Sequence, residues 1–210
     1  MFETGLLLNA FITLLVTIDP PGLVPIFLGL THGMTHSERK STAIAASVIS
    51  FAILIAFALI GGAILESLGI SLGAFQIAGG ILLFAIAFEM IFEKRSERKQ
   101  KTVRTAVTKD HIHNIAAFPL ALPMIAGPGA ISATILMASK NPGFIGTVIS
   151  CSVILISVFV CYGFMLLALP IDKILGETGR TILTRLFGVI LAALAVQFVA
   201  NGIITLFHLD

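Results

Sequence analysis

The chain has 210 residues, of which 57% are hydrophobic and 11% are charged, and its formal net charge at pH 7 is +2. Ordinary soluble domains carry about 25% charged residues, so this composition excludes a typical soluble globular protein. The apolar residues fall in long runs, which is typical of an integral membrane protein.

Six apolar runs follow one another along the chain, and each is long enough to cross a bilayer, which takes about 20 helical residues. They cover residues 6–30, 42–65, 74–92, 115–138, 143–169 and 183–207. The runs predict an all-α membrane protein with six transmembrane helices and no folded soluble domain. We therefore expect the protein to act within the lipid bilayer, with no nucleic-acid partner.

The first run is interrupted near its middle by the segment TIDPPGLVPIF, which begins at Thr17. Proline lacks a backbone N–H and clashes with the carbonyl one turn earlier, while glycine adds conformational freedom. Pro20, Pro21, Gly22 and Pro25 are therefore predicted to break the first helix. Backbone groups freed in hydrocarbon are costly, so such a break persists only where it faces protein or a water-filled cavity.

A basic stretch at residues 93–114 divides the six runs into two groups of three. Twelve of the 13 Lys and Arg residues lie in or next to loops on the same side of the membrane as this stretch. Lys140 alone lies on the other side. Because basic residues concentrate in cytoplasmic loops, both termini are predicted to face away from the cytoplasm. We expect a multi-pass protein of a bacterial or archaeal cytoplasmic (inner) membrane, with residues 93–114 as a cytoplasmic linker.

The fourth run carries a second interruption, in the segment LPMIAGPGAISAT. Gly127, Pro128 and Gly129 are predicted to break this helix for the same reasons as in the first run. A shift of 107 positions places Pro128 on Pro21 and Gly129 on Gly22, so the two breaks occupy matching positions.

The third and sixth runs also correspond, because a shift of 108 positions places Gly188 on Gly80. Each half contains three spans, an odd number, so the second half must enter the membrane from the opposite side. The sequence therefore predicts two inverted three-helix repeats, residues 1–92 and 115–210, with the first and fourth helices broken. A pseudo-twofold axis in the membrane plane would relate them, as in many secondary transporters.

Two breaks at matching positions of inverted repeats are the best candidate for a substrate site. A helix that starts after a break offers N–H groups to an anionic group, and a helix that ends before it offers carbonyls to a cation. A small zwitterion suits both ends. The predicted substrate-binding residues are Asp19, Gly22, Thr17, Gly127, Gly129 and Ser132.

The carboxylate of Asp19 lies in the middle of an apolar run, where an unpaired charge is costly. One interpretation is a cap for the helix that begins at Pro20 and Pro21. The other is direct binding of Na⁺, a proton or a substrate ammonium group. Both remain open, and they are compatible. The matching residue Ala126 has no carboxylate, so any coupling ion is expected at Asp19 alone, with no further cofactor and no metal cluster.

The segments TIDPPGLVPIF and PLALPMIAGPGAISATI, the basic stretch between them and six spans in about 210 residues resemble the MarC family. This family is also called the neutral amino acid transporter family and is grouped with the LysE amino acid exporters. The resemblance covers essentially the whole chain. It implies transport of a small neutral amino acid such as glycine or alanine, coupled to an ion gradient.

The prediction is a secondary transporter of a small neutral amino acid that works by alternating access around the two breaks. A channel or an exporter for other small solutes or ions is the alternative, with the breaks forming a filter. We expect no enzymatic activity, because the runs contain no HExxH motif and only scattered carboxylates. A homo-oligomer is compatible with the sequence.

Overall fold

The computed structural model describes residues 4–32, 34–92, 115–140 and 142–207. Within these ranges the chain is helical and contains no strand. Five stretches of helix are long and apolar enough to cross a membrane, and a sixth span results when two helices of a bent pair are counted together. The predicted linker at 93–114 lies outside the described residues and stays a prediction.

Eight helices follow one another in the described part of the chain. Their bounds are Thr4–Ile18 (α1), Pro20–Leu30 (α2), His36–Ser67 (α3), Leu72–Ile91 (α4), Ala116–Ile125 (α5), Pro128–Lys140 (α6), Phe144–Leu166 (α7) and Ala168–Phe207 (α8). The helices α4 and α7 match the predicted third and fifth spans closely, since uninterrupted apolar runs set their lengths.

Two helices begin earlier than the apolar runs predict. The helix α3 starts at His36 because Thr35 and Glu38 cap it reciprocally: the Thr35 N–H donates to Oε2 of Glu38 at 2.7 Å, and the Glu38 N–H donates to Oγ1 of Thr35 at 3.4 Å. The helix α8 starts at Ala168 and changes direction at Gly176, where φ is 58°. Its spanning part, Thr181–Phe207, agrees with the predicted sixth run.

The segment formed by α1 and α2 lies at the centre of the bundle. It contacts helices of the second half, α6, α7 and α8. Leu14, Ile18 and Phe27 are fully buried and belong to one core cluster with Ile125 and Ile154. In a membrane protein, side chains this well shielded from lipid are where polar groups can also be accommodated.

The helices α4 and α8 pack along their whole length in opposite directions. A Cβ atom built on Gly80 would lie 2.8 Å from the carbonyl oxygen of Ala195, and one built on Gly188 would lie 3.2 Å from the carbonyl oxygen of Ala87. As residue numbers rise along α4, those of their partners fall along α8. Glycine at these points allows the two backbones to approach closely, as at many membrane helix interfaces.

We expect Gly80→Ala to lower the free energy of unfolding by roughly 1–3 kcal/mol, because the new methyl group meets backbone that cannot rotate away. Gly163→Ala in α7 is the matched control, since no atom lies within 4 Å of a Cβ built there. It should be neutral or slightly stabilising, because alanine favours helix by up to about 1 kcal/mol. Titration of the purified variants with denaturing detergent measures both values. Equal stability of the two variants would contradict this packing.

Candidate functional site

The first interruption is confined to a single residue, Asp19, which separates α1 from α2. Its backbone is left-handed, with φ 61° and ψ 66°. Helical hydrogen bonding nevertheless continues on both sides: the Asp19 N–H donates to the Leu15 carbonyl at 3.0 Å, and the Leu23 N–H donates to the Asp19 carbonyl at 3.1 Å. The two helices therefore continue as one span, residues 8–30.

Pro20 and Pro21 occupy the first two positions of α2, where a helix has no use for their missing N–H groups. Pro25 was predicted to take part in the break, and this is wrong. It lies inside α2, within a continuous stretch of helix. Its ring holds φ near helical values, so a single proline here removes one hydrogen bond without ending the helix.

The carboxylate of Asp19 is buried, with the residue 1% exposed. Its Oδ1 accepts a hydrogen bond from the Gly22 N–H at 3.1 Å and another from the Thr184 hydroxyl at 3.3 Å. The first bond caps α2, as one interpretation of the sequence proposed. The second ties the first half of the chain to α8, so the same oxygen holds two halves of the molecule together.

Because Gly22 has no side chain, the carboxylate of Asp19 can lie directly against it. A Cβ atom built on Gly22 would overlap Oδ2 of Asp19 and would lie 2.7 Å from its Cγ. The carboxylate therefore lies across the first turn of α2, and only a residue without a side chain fits beneath it. The pair of Asp19 and Gly22 is one structural unit.

The second interruption bends the chain by 60° between α5 and α6. Phe118 and Leu122 leave helical dihedral angles inside α5, and each precedes a proline, which disfavours helical backbone in the residue before it. Gly127 packs so closely against the Pro123 carbonyl that a side chain has no room. The helix α6 then begins at Pro128, with the Ile131 N–H donating to the Gly127 carbonyl at 3.0 Å.

The two interruptions meet at Thr17 and Gly129. A Cβ atom on Gly129 would lie 2.9 Å from Cγ2 of Thr17, so the two residues are in direct contact. The Thr17 hydroxyl donates to the Thr13 carbonyl at 2.6 Å. Of the predicted site residues, Thr17, Asp19, Gly22 and Gly129 thus form a continuous group. Ser132 and Gly127 lie beside it and not within it.

Ser132 faces α4 instead. It packs directly against Gly79, is buried at 6% exposure, and its hydroxyl has no hydrogen-bond partner within the described residues. Gln76 lies one turn from Gly79 on α4, is 1% exposed, and its Nε2 likewise lacks a partner there. Both groups are polar and shielded from the surroundings of the bundle, which is uncommon for buried side chains without a hydrogen bond.

A cavity of about 210 Å³ lies at the end of the bundle where α1 begins and α6 and α8 finish; most of its lining is apolar, and the name polar cavity refers to the five polar residues that also line it. Its polar lining residues are Asn9, Thr13, Lys140, Gln197 and Asn201. Thr13 is only 2% exposed and lies one turn from Thr17. Thr13 therefore lies between the cavity, which it lines, and Thr17, one turn further along α1.

The comparisons with known proteins agree with this architecture. The model of the family described as MarC family integral membrane protein matches residues 4–207. The chain belongs to the MarC family. No solved structure matches it.

Relatives of this MarC family protein occur in bacteria and archaea. A UPF0056 membrane protein of Buchnera aphidicola subsp. Schizaphis graminum is 39% identical over 99% of the chain and 96% of its own length. One of Archaeoglobus fulgidus is 36% identical over 92% of the chain and 90% of its own length. The UPF0056 membrane protein YhcE of Escherichia coli is 35% identical, covering 96% and 94%. The MarC chain is thus a multi-pass integral membrane protein along its full matched length.

Sequence reasoning missed Thr184, which binds the key carboxylate of this MarC family protein. Thr184 is 165 positions away from Asp19 along the chain and is 7% exposed. The only signal available was a single hydroxyl at the start of an apolar run. Such a residue is common in membrane helices, where it bonds its own backbone, so the sequence alone had no reason to choose it.

The segment GISLG, which starts at Gly69, has the GxSxG spacing of hydrolase nucleophiles, although its surroundings differ. In hydrolases this motif joins a strand to a helix. In the MarC chain it follows α3, and the Ser71 hydroxyl accepts a hydrogen bond from the Ala74 N–H at 3.2 Å, capping α4. In the described ranges, no group of three or more His, Cys, Asp or Glu side chains lies together.

Proposed function

We propose that this MarC family protein is a secondary transporter of a small neutral amino acid such as glycine or alanine, and not an enzyme. The observation that carries the proposal is the contact of Thr17 with Gly129 near the buried carboxylate of Asp19, one turn of α1 from Thr13 in the lining of the polar cavity. Intramembrane carboxylates are costly and usually serve ion or substrate pathways. The family's other name, taken from the resemblance above, agrees with this substrate class.

The residues around the meeting point suit a small zwitterion. Gly129 lies in the first turn of α6, where backbone N–H groups and the helix dipole favour a carboxylate. Asp19 supplies a negative charge for a substrate ammonium group or a coupling ion, Na⁺ or H⁺. Gly22, Gly127 and Gly129 let the backbone and neighbouring side chains pack closely at the interruptions, so only a ligand of glycine or alanine size is proposed to enter between them. No cofactor is required.

An inverted repeat accounts for the pairing of α4 with α8. Gly80 approaches Ala195 and Gly188 approaches Ala87, and a shift of 108 positions exchanges these two contacts. Because the helices run in opposite directions, a twofold axis relating them is perpendicular to both and lies in the membrane plane. This correspondence supports two inverted repeats, residues 1–92 and 115–210, with both termini outside the cytoplasm as the charge distribution predicts.

The two halves have different shapes around their interruptions. The segment α1–α2 continues as one span, whereas α5 and α6 meet at a bend of 60°. In an inverted repeat, exchange of the two shapes converts an opening on one side of the membrane into an opening on the other. The difference therefore supports alternating access over a fixed pore, since a channel has no need for two shapes.

Purified protein in liposomes tests this function. We expect saturable exchange of radiolabelled glycine or alanine, with counterflow when unlabelled amino acid is trapped inside. Na⁺ and pH gradients applied separately identify the coupling ion. Flux that rises linearly with concentration, without counterflow, would instead support the channel. Absence of exchange for every small neutral amino acid, relative to empty liposomes, would rule out the proposed substrate class.

A further inference from the structure

A basic pocket lies at the end of the bundle opposite the polar cavity. Its volume is about 110 Å³, and it is lined by Phe27, Leu28, His36, Arg39, Lys40, Met165, Leu166, Ala168 and Leu169. Every lining residue that can carry a charge is basic. The Arg39 side chain is held in place by a hydrogen bond from its Nε to the Thr31 carbonyl at 3.3 Å. The pocket is therefore a preformed site for a negatively charged group.

The one acidic residue in the first turn of α3, Glu38, is turned to the start of its own helix. Its Oε2 accepts hydrogen bonds from the Thr35 N–H at 2.7 Å and from the Thr35 hydroxyl at 2.8 Å. The carboxylate of Glu38 is thus hydrogen-bonded within the capping box and does not line the basic pocket. Glu38 therefore does not neutralise the basic side chains that line the pocket.

An apolar groove of about 280 Å³ lies between α3 and α7, about one helical turn from the basic pocket along α3. Its lining residues are Ile44, Ser47, Val48, Phe51, Leu155, Val158, Phe159 and Tyr162. Val48 is 61% exposed and Phe159 is 68% exposed, so the groove is open to the surroundings of the bundle. Lys40 of the pocket and Ile44 of the groove are four residues apart and share one face of α3, so the two sites are neighbours along this helix.

We propose that the basic pocket and the α3–α7 groove together bind one anionic phospholipid. Its phosphate contacts His36, Arg39 and Lys40, and an acyl chain lies along the groove. Basic pockets between membrane helices select anionic head groups, and arginine pairs with phosphate through two parallel hydrogen bonds. The single tyrosine, Tyr162, lies near the junction, the level at which tyrosines gather at membrane surfaces. An exposed apolar groove without charges would show no such preference for lipid class.

The test measures lipid retention by the purified full chain. Native mass spectrometry compares binding of phosphatidylglycerol with that of phosphatidylcholine of the same acyl chains. We expect the wild type to prefer phosphatidylglycerol and Lys40→Gln to reduce this preference about fivefold, the effect of one basic residue near a membrane surface. Lys40→Arg should retain it. Lys140→Gln, at the opposite end of the bundle, removes the same charge and should have no effect.

A second pair of variants tests the groove. Val48→Phe fills it and should weaken binding of phosphatidylglycerol, whereas Val189→Phe, on α8 and 58% exposed, should not. Equal binding of the two lipids by the wild type, or equal effects of Lys40→Gln and Lys140→Gln, would overturn the proposal. So would full displacement of the lipid by inorganic phosphate alone at the same concentration, because the groove would then contribute nothing.

Discussion

Asp19→Asn is expected to reduce ion-driven accumulation of the transported amino acid by about 10- to 100-fold while the protein stays folded. The loss follows from replacing a buried charged ligand, whose hydrogen bonds or ion contacts contribute about 1.5–3 kcal/mol. Asparagine retains an acceptor for the Gly22 N–H and the Thr184 hydroxyl, and it tolerates the left-handed backbone at this position. Accumulation in proteoliposomes under the coupling-ion gradient is the measurement.

This substitution separates the two roles that the sequence left open for Asp19. If the carboxylate only caps α2, Asp19→Asn accumulates amino acid like the wild type, and the proposed coupling role is wrong. Asp19→Ala is the companion variant, because it removes the acceptor as well. Loss of a helix cap typically costs about 0.5–2 kcal/mol, and alanine also disfavours a left-handed backbone. Only Asp19→Ala should therefore lower the free energy of unfolding.

Gly22→Ala is expected to abolish transport and to destabilise the protein by roughly 1–3 kcal/mol. The added methyl group would occupy the position of the Asp19 carboxylate, which must then move and give up its bonds to Gly22 and Thr184. Both the cap and the tie to α8 depend on that position. Initial rates of exchange and the free energy of unfolding in detergent, measured on the same preparation, report the two effects.

The matched control for Gly22→Ala is Gly29→Ala, seven residues further along α2. No atom lies within 4 Å of a Cβ built on Gly29, and this glycine is exposed. The substitution should leave transport unchanged and stabilise the helix by up to about 1 kcal/mol. A Gly22→Ala protein as active and as stable as Gly29→Ala would mean that the carboxylate does not need its observed position.

The spans could be predicted from the sequence because the requirement for them is local. About 20 apolar residues in succession suffice to cross a bilayer, whatever the rest of the chain does. The third, fifth and sixth runs therefore agree closely with Leu72–Ile91, Phe144–Leu166 and Thr181–Phe207. The interruptions at Asp19 and around Gly127 were also visible, since proline and glycine act on their own backbone.

How strongly each interruption bends the chain could not be predicted from the sequence, because it depends on the tertiary structure. Pro20, Pro21 and Pro25 looked as disruptive as the Gly127 segment, yet α1 and α2 continue as one span while α5 and α6 bend by 60°. Prolines at the first positions of a helix cost little, and Asp19 restores the hydrogen bonding around them. Two prolines inside α5, each distorting the residue before it, have no such compensation there.

By itself the sequence determined the membrane class, the number of candidate spans and the location of the interruptions, because hydrophobic length and proline and glycine chemistry act over a few neighbouring residues. Only the tertiary structure decided that Thr184 binds Asp19, that Thr17 meets Gly129, and that Thr13 and Asn201 line one cavity. These contacts join residues more than 100 positions apart. Their formation depends on how whole helices pack, which no local pattern encodes.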